Sequence, residues 1–165
     1  LDRELARGGV DDFAASRAQL RSLELDQRVT FVFENLESVL AMPPWPGAVV
    51  VHGSGYAVDV IAELPWVRRA PVVYWGDLDS HGFAILHRLR THLRGGLGAH
   101  GCRDPARPPR PVGTRPTARH GSAASLTDVE QVARARLAEE GHVRLEQERI
   151  PWATAITKLG RATQV

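Results

Sequence analysis

Cysteine, methionine and lysine are almost missing from this chain of 165 residues, with one of each (Cys102, Met42 and Lys158). A lone cysteine cannot close an internal disulfide or build a cysteine zinc site, so a reducing, cytoplasmic setting is expected. Cys102 also sits among Arg, Pro and Gly without apolar neighbours, which argues against a catalytic thiol. No apolar run approaches the roughly 20 residues needed to span a bilayer, so no membrane association is expected. The opening Leu1-Asp2-Arg3-Glu4 has neither an initiator Met nor the pattern of a signal peptide. We expect the chain to be the C-terminal piece of a longer one.

Strong charge of one sign is lacking too. The formal net charge is +2, but residues 95–120 alone hold five arginines (103, 107, 110, 115 and 119) against one acid, Asp104. The rest of the chain therefore carries 16 basic against 18 acidic residues, a net of −2. By charge count the body of the protein is not a strongly basic nucleic-acid binder. Contact with DNA would have to come from local patches or from other domains.

What is present is a globular pattern: 43% hydrophobic and 24% charged residues, in a length suited to one domain. Residues 11–24 show helical spacing, with Phe13, Ala14, Ala18, Leu20 and Leu23 as packing positions. Arg28 to Phe33 is a β-branched and aromatic run that ends at Glu34-Asn35, and reads as a first strand. A helical turn over 36–42 stops at Pro43-Pro44-Trp45-Pro46-Gly47. A second strand at 48–51 runs into His52-Gly53-Ser54-Gly55, and a helix over 56–64 is broken by Pro65. A third strand follows at about 71–75. The four tryptophans, Trp45, Trp66, Trp75 and Trp152, read as packing residues rather than base-stacking platforms. Strands that are nearly continuous apolar runs, alternating with helices, describe a parallel sheet covered on both faces. The expected fold class is α/β, a Rossmann-like α/β/α sandwich with a mostly parallel sheet.

Residues 95–120 break the pattern, with five of the eleven prolines and no apolar periodicity. Such a stretch buries too little to offset its ordering entropy and reads as an irregular insert without a strand. Beyond it, Thr127 and Glu130 form a capping box for a helix to about Glu140, and Gly141 is a C-terminal stop. A polar segment, Val143 to Ile150, leads through Pro151 to a last helix ending near Lys158.

The most informative segment is Tyr74-Trp75-Gly76-Asp77-Leu78-Asp79-Ser80-His81-Gly82-Phe83, in which a strand ends at two aspartates and a glycine-containing turn leads to a helix. Glu34 ends the first strand in the same way. If these strands are neighbours, three carboxylates meet at one edge of the sheet. Two unit charges about 4 Å apart repel by roughly 4 kcal/mol at an effective dielectric near 20, so such a cluster calls for a cation. Mg²⁺ or Mn²⁺ suits a few carboxylates plus phosphate oxygens. The plainer alternative for Asp79 is a helix N-cap. Gly53 and Gly55 would lie on the same edge and let a phosphate approach the backbone, unless the turn needs them sterically. His81 is a candidate phosphate contact or merely an exposed turn residue. Glu37, Glu146 and Glu148 are auxiliary acids, to be weighed against ordinary solvated charge.

Taken together, Val32-Phe33-Glu34-Asn35, Gly53-Ser54-Gly55-Tyr56, the segment from Tyr74 to Phe83 and Arg144-Leu145-Glu146-Gln147-Glu148 resemble the C-terminal Toprim domain of JetD proteins, the nuclease subunits of bacterial Wadjet anti-plasmid systems. Related Toprim domains occur in the topoisomerase VI A subunit, DnaG-type primases and OLD-family nucleases. The resemblance covers about 28–94 and 126–155. It divides the chain into a helical lead-in at 1–27 and a Toprim domain at 28–160 with the insert at 95–120. It implies that Glu34 is a ligand or general acid/base, that Asp77 and Asp79 bind Mg²⁺ or Mn²⁺, and that the substrate is double-stranded plasmid DNA. It also implies action as a homodimer, licensed by SMC-like motor subunits.

Two departures bear on that expectation. The only tyrosines, Tyr56 and Tyr74, lie within the sheet-forming region, so hydrolysis by activated water is expected rather than a covalent tyrosine intermediate. The family would place a further strand ending in an aspartate where residues 95–120 stand. The Arg- and Pro-rich composition there is what paired frameshifts in a GC-rich gene would produce. Other readings are an inactive DNA-binding or assembly module, and a haloacid-dehalogenase-like phosphatase. The phosphatase fits poorly, because its Asp-x-Asp normally ends the first strand and needs a downstream lysine.

Overall fold

The apolar runs form the strands. In a computed structural model, which describes residues 12–93, 99–101, 125–139 and 147–163, Val29–Phe33 makes β1 with every position buried. Ala48–His52 makes β2 and Val72–Trp75 makes β3. Both pair with β1 in parallel, Val29 opposite Ala48 and Thr30 opposite Val72. The sheet order is β2-β1-β3-β4, with the three-residue strand β4, Ala99–Gly101, parallel to β3 at the edge. β1 and β3, whose every position is buried, are therefore the two strands inside the sheet.

Alternation along β1 and β3 divides the core. Val32, Val72 and Tyr74 pack with Val58 and Ile61 of α3 (Val58–Ala62) and with Phe83, Ile85 and Leu89 of α4 (Ser80–His92). Phe31, Phe33, Val73 and Trp75 point the other way, onto Ala155 and Leu159 of α6 (Trp152–Ala162). Val39 of α2 (Leu36–Leu40) joins that second face. Helices on both sides of a parallel sheet make the expected Rossmann-like α/β/α sandwich, compatible with a Toprim fold. The short helix α1 (Arg17–Arg21) lies in the lead-in, which docks on the first face through Leu20, Leu23 and Leu25. Trp66 Nε1 donates to Leu20 O at 2.8 Å, fastening it there.

The helix α5 (Asp128–Glu139) starts with the expected capping box: Thr127 N donates to Glu130 Oε2 at 2.8 Å, and Glu130 N donates to Thr127 Oγ1 at 3.4 Å. Glu130 is also gripped from α4 by Arg90, whose Nη2 donates to Oε1 at 3.1 Å; both side chains are nearly buried. Burial alone would raise the Glu130 carboxyl, but Arg90 and the Thr127 amide more than offset it and hold it below the usual range.

Several elements differ from the expectation. α1 spans five residues rather than the whole of 11–24. The helix expected at 56–64 begins as a 3₁₀ turn, Gly55–Ala57. α4 starts at Ser80, absorbing the expected turn, because the Asp79 side chain caps it. The insert does contain a strand: β4 falls inside 95–120 and extends the sheet. Its backbone pairing with β3 does not require an apolar pattern in the sequence. The other residues of that stretch lie outside the described ones, and with them the question of a frameshift. Among the described residues, no helix is long and apolar enough to cross a membrane.

Candidate functional site

The chain leaves β1 toward β2 on one side, while β3 pairs with the opposite edge of β1. α2, which follows β1, covers one face of the sheet, and α4, which follows β3, covers the other. A crevice opens at the carboxyl ends of such a strand pair, the usual ligand position in open α/β sheets. Glu34 directly follows β1, and Asp77 and Asp79 follow β3. The structure therefore brings the three predicted acids to one rim.

Their contacts are specific. Glu34 Oε2 accepts from the Tyr74 hydroxyl at 2.8 Å and from the Asp77 amide at 3.4 Å. Asp77 Oδ1 accepts from the Gln147 amide at 3.0 Å, tying the C-terminal part of the chain to the rim. Asp79 Oδ1 accepts from His81 N at 2.9 Å and Gly82 N at 2.8 Å, so the N-cap reading of Asp79 is correct as far as it goes. A capping carboxylate remains a carboxylate, and the two roles are compatible.

Electrostatics mark Glu34 as the strained member. Burial raises its carboxyl above the usual range, and the charges of Asp77 and Asp79 add to that, against the lowering effect of Tyr74 and the Asp77 amide. The Tyr74 phenol is pushed up as well, by its own burial first and by Glu34 next.

Two glycines make the site possible. A Cβ on Gly76 would stand 2.3 Å from the Tyr74 hydroxyl and 2.5 Å from Glu34 Oε2. A Cβ on Gly82 would stand 2.0 Å from the Asp77 carbonyl oxygen, so only glycine lets the start of α4 come this close to the turn. Sequence reasoning gives Gly76, Gly82, Tyr74 and Gln147 no role at the site. The glycines flanking Asp77 and Asp79 carried a readable signal; the partners of Glu34 and Asp77 did not, because they lie 40 and 70 residues away.

The remaining candidates fall as follows. Gly53 is buried, its amide donates to Phe33 O at 2.8 Å, and a Cβ there would meet Val32 at 2.6 Å, so packing accounts for it. Gly55 has φ +53°, a conformation glycine favours, with open space where a Cβ would be. His81 is exposed in the first turn of α4, and Glu37 is exposed in the first turn of α2. Glu146 lies outside the described residues, as does the side chain of Glu148; between them Gln147 is buried beside Asp77.

The donor set fits a hard divalent cation by its chemistry. Three carboxylates share the rim, and among the described residues no cationic side chain pairs with Glu34. They are not a ready-made cage: among the described residues, no three His, Cys, Asp or Glu side chains already stand at metal-holding spacing. Any such shell would have to be completed by waters and phosphate oxygens, which Mg²⁺ ordinarily keeps.

The family model described as "Wadjet protein JetD, C-terminal" matches residues 1–159, which is nearly the whole chain. No curated protein matches it.

Proposed function

The chain belongs to the Wadjet JetD C-terminal family, and on that premise we propose that it is the divalent-metal-dependent DNA endonuclease domain of a Wadjet anti-plasmid system. The observation that supports this best is the meeting of Glu34 with the Asp77–Asp79 turn at the crevice between β1 and β3. Asp77, Asp79 and Glu34 would hold Mg²⁺ or Mn²⁺. When bound, such an ion supplies charge stabilisation at a phosphoryl oxygen and a more acidic water.

The chain's own groups do the rest. Backbone amides hold both aspartates in place, Gln147 N donating to Asp77 Oδ1 and Gly82 N to Asp79 Oδ1. Glu34 is placed to take a proton from the attacking water or to help bind the ion. His81 and Gly55 are the candidates for contact with the DNA backbone. In this reading the substrate is double-stranded plasmid DNA, cut by a homodimer at the direction of SMC-like motor subunits of the same system.

Supercoiled plasmid incubated with the protein and Mn²⁺ tests the reading, with Asp77→Ala and Asp79→Ala alongside. Nicking by the unsubstituted protein only is the expected result. Nicking by all three would remove the assigned site. No nicking by any would favour a DNA-binding or assembly module without turnover.

A further inference from the structure

We propose that Tyr74 is a positioning residue for Glu34: its hydroxyl, bonded to Oε2, turns the carboxylate so that Oε1 is the oxygen presented to a cation. This rests on the metal-dependent reading above and extends it to a residue outside the acidic set.

Tyr74 is 4% exposed and belongs to the core cluster that also holds Val32 of β1 and Phe83 and Leu86 of α4. In register it stands opposite Val32, two residues before Glu34, so the length of the phenol carries its hydroxyl along the strands to the carboxylate. The contact is 2.8 Å, good geometry for O–H···O. The Asp77 amide approaches the same oxygen at 3.4 Å. Both donors fall on Oε2 and so set the rotation of the group, and neither of them reaches Oε1.

Gly76 gives the arrangement its second, independent support. Any side chain at that position would collide with both the phenol oxygen and Oε2, at 2.3 and 2.5 Å. Tyr74, Gly76 and Glu34 thus form one unit in which the middle residue leaves room for the bond between the outer two. A buried phenol needs some acceptor, and a backbone carbonyl would have served. Here the acceptor is the carboxylate with the most to gain from being oriented. Partners that orient a metal ligand without touching the metal typically change affinity by about 10–100-fold when removed.

Mn²⁺ binding to the whole chain, followed by electron paramagnetic resonance of the free ion, is the test, in a cycle of Tyr74→Phe, Glu34→Gln and the double variant. Tyr74→Phe should weaken Mn²⁺ binding about 10-fold in the parent and have no further effect once Glu34 is Gln. Gly76→Ala, which attacks the same contact from the backbone, should weaken binding comparably. Parent-like Mn²⁺ affinity in both Tyr74→Phe and Gly76→Ala would overturn the inference, as would a Tyr74→Phe loss of equal size in both backgrounds. In those cases binding that still depends on Glu34 would leave the metal reading standing. No Mn²⁺ binding by the parent chain would sink the metal reading and the role of Tyr74 together.

Discussion

Phe33 on β1 stands in register with Trp75 on β3, so the residues after them leave the sheet side by side. Glu34 N donates to Trp75 O at 3.0 Å, carrying the ladder one step past the strand end before the Gly76–Asp77 turn begins. The meeting of the three acids is thus a property of backbone pairing, and side-chain changes at the rim should alter its chemistry more than its shape.

Glu34→Gln should separate stability from activity. Because the folded-state pKa is raised, the folded protein binds this proton more readily than the unfolded chain, and stability falls as pH climbs from the ordinary carboxylate range through the raised value. The metal-free variant should therefore melt at or above the parent near neutral pH, with the difference closing in acid. Mn²⁺-dependent nicking should fall by about 10²-fold or more. Thermal melts across pH, paired with plasmid nicking, measure both.

Asp79 has two roles that substitutions can tell apart. Asp79→Asn keeps an oxygen for the amides of His81 and Gly82, so its stability should stay close to the parent's while nicking is lost. Asp79→Ala removes the cap as well and should cost about 1 kcal/mol in urea unfolding.

Gly82→Ala should cost about 1–3 kcal/mol by overpacking against the Asp77 carbonyl, because backbone stands where the Cβ would go. Nicking should drop further than the stability loss explains, since the displaced group belongs to Asp77 itself. Urea unfolding and single-turnover nicking of the same preparation would show this.

Glu130→Gln should destabilise by about 3 kcal/mol near neutral pH, because Arg90 is left nearly buried without its charge partner. The Glu130 pKa is held below its ordinary value, so this contribution is present above the unfolded-state pKa and disappears as pH falls through the folded one. Urea midpoints of parent and variant should converge in acid while Mn²⁺ binding at neutral pH stays intact.

The parts readable from sequence were those that depend on local pattern. β1, β2 and β3 announce themselves as apolar runs, and Glu34, Asp77 and Asp79 stand where those runs end. Thr127 with Glu130, and Asp79 before Ser80, are capping signals whose geometry appears as written. What escaped was set by pairing between distant segments. Tyr74 looked like one more strand aromatic until β1 placed Glu34 over its hydroxyl. Gln147 lay in a polar stretch, and only the return of the chain brings its amide to Asp77. β4 escaped because Ala99-His100-Gly101 has neither β-branched residues nor alternation to mark it as a strand.

Arg90 is one of two α4 side chains that grip the chain where it re-enters before α5. Beyond its pair with Glu130 it donates to Ser125 O at 3.2 Å, while His87 Nδ1 lies 2.6 Å from Ser125 Oγ. Ser125 is thereby moored to the helix that precedes β4, so the number of residues between β4 and Ser125 is not dictated by these contacts. Loop entropy grows only logarithmically with length. Insertions and deletions between β4 and Ser125 should therefore be where natural versions of this protein differ most in size, and where an engineer could splice in a reporter with least harm.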